Sequence, residues 1–144
     1  MFIGEYSRSV DPKKRLALPS KFRGELGNRV VVTRGLDHCL FVYPMKVWEE
    51  IASKLGNLPV GESGTRSFIR LMLSGAVDTE LDSQGRVLLP EYLKNDAGLK
   101  KEVTVVGVYN RLEIWDESIW KKYKQNAEKN TGKIAEELGK LGVY

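Results

Sequence analysis

The strongest constraint in this chain is a nine-residue phrase written twice. Residues 11–19 read DPKKRLALP and residues 82–90 read DSQGRVLLP, 71 positions apart in a chain of 144. Each phrase holds an Asp, three residues of turn chemistry, an Arg, three mainly apolar residues and a Pro. The match runs on for roughly fifty residues per copy, which marks duplicated architecture rather than a shared turn. After the first phrase come a short helix-like piece from Ser20 to Leu26, RVVVT at 29–33, a GLDH turn and LFVYP at 40–44. After the second come EYLKNDAG, EVTVV at 102–106, a YNR turn and LEIWD at 112–116. With one extra residue allowed in the first copy's turn, Trp48 falls on Trp120.

Each copy therefore reads strand, Asp-x-x-x-Arg turn, short strand, short helix, strand, tight turn, strand, helix. The valine-rich runs and the LFVY and LEIW segments carry β propensity, while Gly, Asn and Asp mark the turns. Pro19 and Pro90 end their strands and suit the first turn of the short helix after each. After Pro44, the spacing of Val47, Trp48, Ile51 and Leu55 predicts one apolar helical face. Asp116 is placed to cap a helix whose stripe is Ile119, Trp120 and Tyr123. These stripes are expected to be core.

The expected layout is a first repeat at 1–55, a linker and short helix at 56–75, a second repeat at 76–130 and a tail at 131–144. Within the linker region, TRSFIRLMLSG predicts a short apolar helix with Phe68, Ile69, Met72 and Leu73. A few short strands with one apolar face are marginal alone, so the copies are expected to pack on each other about a pseudo-two-fold axis.

Charge is unevenly spread. The net charge is +4, but residues 1–74 carry 12 Lys/Arg against 7 Asp/Glu, and residues 75–144 carry 11 against 12. Arg8, Lys13, Lys14, Arg15, Lys21 and Arg23 cluster around Asp11 alone, a field that draws phosphates. A solvated, solubilising face is the plainer account of such a cluster; its place on a repeated motif favours a functional one. The Asp of each phrase can shape its loop by bonding backbone two residues on, and can pair with the Arg. An exposed loop Arg in a basic field is a nucleic-acid contact by chemistry.

Catalysis finds no support. The repeats offer no nucleophile with a base, no paired acids, and no GxGxxG or GxxxxGK[ST] pattern. With one His, His38, and one Cys, Cys39, no structural zinc set is expected, and no cofactor. The start shows no secretory pattern and no apolar run nears the ~18 residues of a membrane helix, so a cytosolic protein with no membrane partner is expected.

The doubled D-x-x-x-R-x-x-L-P turn, set in FIGEYSRSVDPKKRLALP and SGAVDTELDSQGRVLLP, resembles the MraZ family of bacterial regulators built from tandem SpoVT-AbrB domains. The resemblance spans nearly the whole chain. It implies a mainly β fold with short helices, a swapped-hairpin, double-split β-barrel made by the two repeats, with peripheral helices. It also implies subunits assembled in a ring, located with the nucleoid. Their double-stranded DNA target would be short G-rich direct repeats in the promoter of the division and cell-wall gene cluster, and their action repression. Carried over, the DNA-contacting arginines are Arg15 and Arg86, with Asp11 and Asp82 shaping their loops. Lys13, Lys14 and Arg8 are expected on phosphates. Lys14 departs from the Gly found at Gly85, adding a phosphate-seeking charge.

Two other readings stand beside this one. A scaffold or antitoxin-like partner binder would need a partner-binding tail, which the short, glycine-broken 131–144 segment suits poorly. RNA binding would need exposed aromatic platforms, which most aromatics here do not provide by position.

Overall fold

The structure, a computed structural model, describes residues 1–143. The first copy supplies β1 (Phe2–Ser9), β2 (Arg15–Ala17), a 3-10 turn (Ser20–Phe22), α1 (Arg23–Leu26), β3 (Arg29–Arg34), β4 (Leu40–Pro44) and α2 (Met45–Gly56). After α3 (Ser63–Gly75), the second copy supplies β5 (Val77–Glu80), β6 (Arg86–Leu88), α4 (Glu91–Asp96), β7 (Glu102–Tyr109), β8 (Arg111–Asp116) and α5 (Glu117–Lys129). A further helix, α6 (Thr131–Lys140), takes up most of the segment expected as a tail.

The copies exchange their first strands. One six-stranded sheet runs β1-β7-β8-β4-β3-β5, and a separate ribbon pairs β2 with β6. The first copy's β1 thus pairs with the second copy's β7, and β5 pairs with β3. The register obeys the duplication. Tyr6 lies opposite Val105 and Arg8 opposite Val103, as Val77 lies opposite Val32 and Thr79 opposite Val30. The axis passes through two cross-strand pairs, Leu16–Val87 in the ribbon and Phe41–Glu113 between β4 and β8. A one-residue slip would turn every buried side chain of a strand outward, so this register is fixed by its apolar pattern.

Two cores flank the large sheet. Leu16, Leu18 and Phe22 with Val87, Leu89 and Leu93 close over one face, against Val30, Val32, Leu40, Val42, Val103, Val105, Leu112 and Ile114. Complete burial of an aliphatic side chain is worth about 1.5–3 kcal/mol, so the ribbon is anchored by Leu16 and Val87. The opposite face carries Phe41, Tyr43, Trp115, Leu55 and Met72, with Val47, Trp48, Ile51, Ile119 and Trp120 packed against them. The α2 stripe is therefore core. The α3 stripe differs from expectation: Met72 is buried, but Phe68 and Leu73 are exposed, because α3 is tied to β3 near its C-terminal end, where Thr33 Oγ1 donates to Met72 O and Arg34 Nη1 to Leu71 O. Asp116 caps α5 as expected, accepting from the Ser118 amide.

Candidate nucleic-acid interface

The two repeated turns have one geometry. In the first, Asp11 Oδ1 accepts from the backbone N–H of Lys13 at 2.9 Å and of Arg15 at 2.8 Å. Its Oδ2 accepts from Arg15 Nε at 2.7 Å. In the second, Asp82 Oδ1 accepts from the amides of Gln84 and Arg86, both at 2.9 Å, and Oδ2 from Arg86 Nε at 2.7 Å. Backbone bonds repeat as well: Lys14 N–H donates to Asp11 O and Gly85 N–H to Asp82 O, each at 2.9 Å. Both aspartate carboxyls are held below their ordinary range. The amide of the motif arginine is the largest cause, joined by its guanidinium and by the amide of Lys13 or Gln84.

This skeleton demands a left-handed residue just before the arginine. Gly85 meets it without strain at φ 72°, and Lys14 adopts the same conformation at φ 63°. A side chain there costs about 1–2 kcal/mol, so the Asp11 bonds hold the loop against the local preference of lysine. In the second turn a Cβ on Gly85 would meet the Arg23 guanidinium, which would have to swing aside, whereas Lys14 reaches Glu91 and forms an ion pair.

The turns are stitched to each other across the ribbon. Leu89 N–H donates to Lys14 O at 2.8 Å and Leu18 N–H to Gly85 O at 3.1 Å. Strand alternation sends Leu16 and Val87 into the core and leaves Arg15, Ala17, Arg86 and Leu88 on the outer side. Arg86 pairs with Ala17, two residues along from Arg15, so the arginines are diagonal neighbours, with a spacing of about 7–8 Å for such positions. With Nε taken by the aspartate, each fork keeps both Nη groups, which have no acceptor among the described residues. The result is two pre-oriented guanidinium forks on the outside of a narrow two-stranded ribbon.

A family model described as "MraZ protein, putative antitoxin-like" matches residues 1–71 and, separately, 72–140. The chain belongs to the MraZ family. Transcriptional regulator MraZ of Halothermothrix orenii is 46% identical over 143 residues, covering 99% of this chain and 100% of that protein. The protein of the same name from Natranaerobius thermophilus is 49% identical over 138 residues, 96% of each chain. That from Thermoanaerobacter pseudethanolicus is 44% identical over 143 residues, 99% of this chain and 100% of its own.

Against this MraZ framework the expected site residues separate. Asp11, Lys13, Lys14 and Arg15 come together at one end of the ribbon, and Asp82 and Arg86 at the other. Arg8 does not point from a turn; it lies on β1, 5.9 Å from the Tyr6 ring centre, near Lys21 at 5.3 Å from the same ring. Sequence reasoning missed Lys94, Lys100 and Lys101. They line a cleft of about 400 Å³ with Val10, Asp11 and Pro12, beside the first turn, although they belong to the second copy. Only the strand exchange, which bonds Val10 N–H to Lys101 O at 2.8 Å, brings them there.

Other chemistry is sparse. Among the described residues no group of three or more His, Cys, Asp or Glu is placed to hold a metal ion. Cys39 is buried, its thiol donates to Leu36 O, and burial pushes its pKa well up, which suppresses the thiolate. No helix among the described residues is long and apolar enough to cross a membrane.

Proposed function

We propose that this chain is a sequence-specific DNA-binding transcriptional regulator that sets its ribbon arginines against guanine edges. The observation that carries this reading is the pair of aspartate-held forks on the ribbon's outer side. The major groove admits a two-stranded β-ribbon, and an Arg donating two hydrogen bonds to guanine O6 and N7 is the commonest specific contact. Lys13 and Lys14 sit on phosphates and set position, with Arg8 contributing from β1. The names of the relatives, all transcriptional regulators, support the same reading.

The finer proposal follows the family resemblance. Several copies form a ring and present the ribbon in one sense along DNA, which suits direct rather than inverted repeats. The target is the promoter of the division and cell-wall gene cluster, the effect repression, and the location the nucleoid in the cytoplasm. The outer edges of β1 and β5, unpaired at the two ends of the sheet, supply surfaces for neighbouring copies. Repeated weak contacts then add through effective concentration.

The test is a mobility shift on DNA upstream of the chain's own gene, with scrambled competitor, beside light scattering on the eluted protein. Selective retardation by a species well above 16.3 kDa is expected. Equal binding to scrambled DNA contradicts base reading, and a monomer that binds normally contradicts the ring. A partner-binding module is the second reading, favoured by α6, which leaves Ile134 exposed, with Leu141 exposed just beyond the helix.

A further inference from the structure

The environments of the two turns differ in one respect that the duplication makes measurable. By the sheet register, Lys94, Lys100 and Lys101 beside the first turn occupy the places that Arg23, Gly27 and Asn28 occupy beside the second. The equivalence shows in the backbone: Val10 N–H bonds Lys101 O as Leu81 N–H bonds Asn28 O, both at 2.8 Å. The first turn thus gathers five lysines, two of its own and three from the other copy, where the second gathers one arginine. Asp11 joins the sets, since it both clamps Arg15 and lines the lysine cleft.

We infer that Lys94, Lys100 and Lys101 form a phosphate-contacting shoulder for the Arg15 turn, so that one DNA-engaging unit is built from both halves of the chain. This rests on the DNA-binding reading above. Lys100 and Lys101 are exposed, and Lys94 is half-buried on α4. Of the nearby carboxylates, Glu91 is balanced by Lys14, while Glu102 and Asp116 accept only from neutral donors, Ser9 Oγ for the first and the Lys100 amide and Ser118 for the second, and keep their charge. Lys100 and Lys101 also border a groove with Glu117 and Lys121, whose charges offset one another. None of the three lysine ammonium groups forms an ion pair among the described residues, and the three outnumber Glu102 and Asp116, so the shoulder stays positive next to a reading arginine. Such point charges suit backbone phosphates, which hold register without carrying sequence. The strand exchange then has a consequence for binding as well as for folding: it carries positive charge from the acidic half to the turn that needs it.

The experiment measures the slope of log affinity against log salt on operator and scrambled duplexes. It compares wild type, the triple variant Lys94→Gln/Lys100→Gln/Lys101→Gln, the double variant Lys100→Gln/Lys101→Gln and a control, Lys46→Gln/Lys54→Gln, on exposed α2 positions. Circular dichroism checks folding, and the double variant leaves α4 untouched. The expected result is a slope shallower by roughly 0.9 for each lysine lost from the shoulder, per engaged copy. Operator and scrambled affinities should fall together, and the control should match wild type. Wild-type slope and affinity in the folded double variant would overturn the inference, as would a loss matched by the control. A loss confined to operator DNA would overturn it too, because it would make these lysines base readers. If wild type binds no DNA at all, the functional reading itself fails, and this inference with it.

Discussion

The first and second turns share a hydrogen-bond skeleton to within 0.1 Å and differ in almost everything around it. The first is ringed by Lys13, Lys14, Lys94, Lys100 and Lys101. The second has Ser83, Gln84 and Gly85 within the loop and Arg23, Gly27 and Asn28 beside it, with Asp78 and Glu80 on the strand leading in, both engaged by Arg29. The difference teaches that geometry and electrostatics were free to diverge separately. The aspartate fixes where the arginine fork points, whatever the neighbours are. The neighbours fix how strongly that end of the ribbon attracts a polyanion.

The largest expected effect separates reading from positioning within the first turn. Arg15→Ala should cost roughly 1–3 kcal/mol of operator binding per engaged copy and blur sequence preference. Lys13→Ala should instead lower operator and scrambled binding by the same factor. Binding isotherms on both duplexes decide it; an Arg15→Ala protein that still prefers its operator as wild type does would remove the reading role.

Next in size is the turn exchange at the left-handed position. Gly85→Lys should destabilise the fold by about 1–2 kcal/mol, because it adds left-handed strain, and it should displace the Arg23 guanidinium. Lys14→Gly should leave stability equal or higher while weakening DNA binding. Thermal melts of the two variants check this, and equal melting temperatures would show that the loops are interchangeable after all.

A smaller effect is expected from Gln84→Lys, which gives the second turn the counterpart of Lys13. Its salt slope should steepen by about 0.9 if the added charge reaches a phosphate. An unchanged slope would place the second turn away from the DNA backbone.

The smallest effect concerns pH. Asp11 and Asp82 both titrate below the usual aspartate value of about 3.9, held down first by the arginine amides. For a lowered carboxyl pKa, the stabilisation is fully present above the unfolded value and is lost as pH falls through the folded one. Between about pH 5 and 8, a window that lies wholly above the unfolded value, the two clamps should therefore be unchanged. Carboxyl carbon NMR titrations should find both aspartates low and alike, and one ordinary value would break the shared skeleton.

Much of this was legible in the sequence because duplication is a one-dimensional signal. The two phrases identified the turns, the aspartate spacing announced the clamp, and the valine runs placed β3 and β7. Lysine at 14 departs from the glycine-bearing loop in sequence, yet three bonds to Asp11 outweigh its local preference. What stayed hidden depends on contact through space. Summing charge by halves made the second half acidic, while strand exchange carries three of its lysines to the first turn. The α3 stripe misled for a related reason: apolar spacing does not say which part of a helix the sheet will cover, and Phe68 is left outside while Met72 is buried.

That matched forks in unmatched fields share DNA binding unequally is tested most directly by one paired measurement. Arg15→Ala and Arg86→Ala are titrated on the same operator under the same salt. Both should weaken binding, and Arg15→Ala should weaken it more. Equal losses, or a larger loss at Arg86, would contradict unequal sharing.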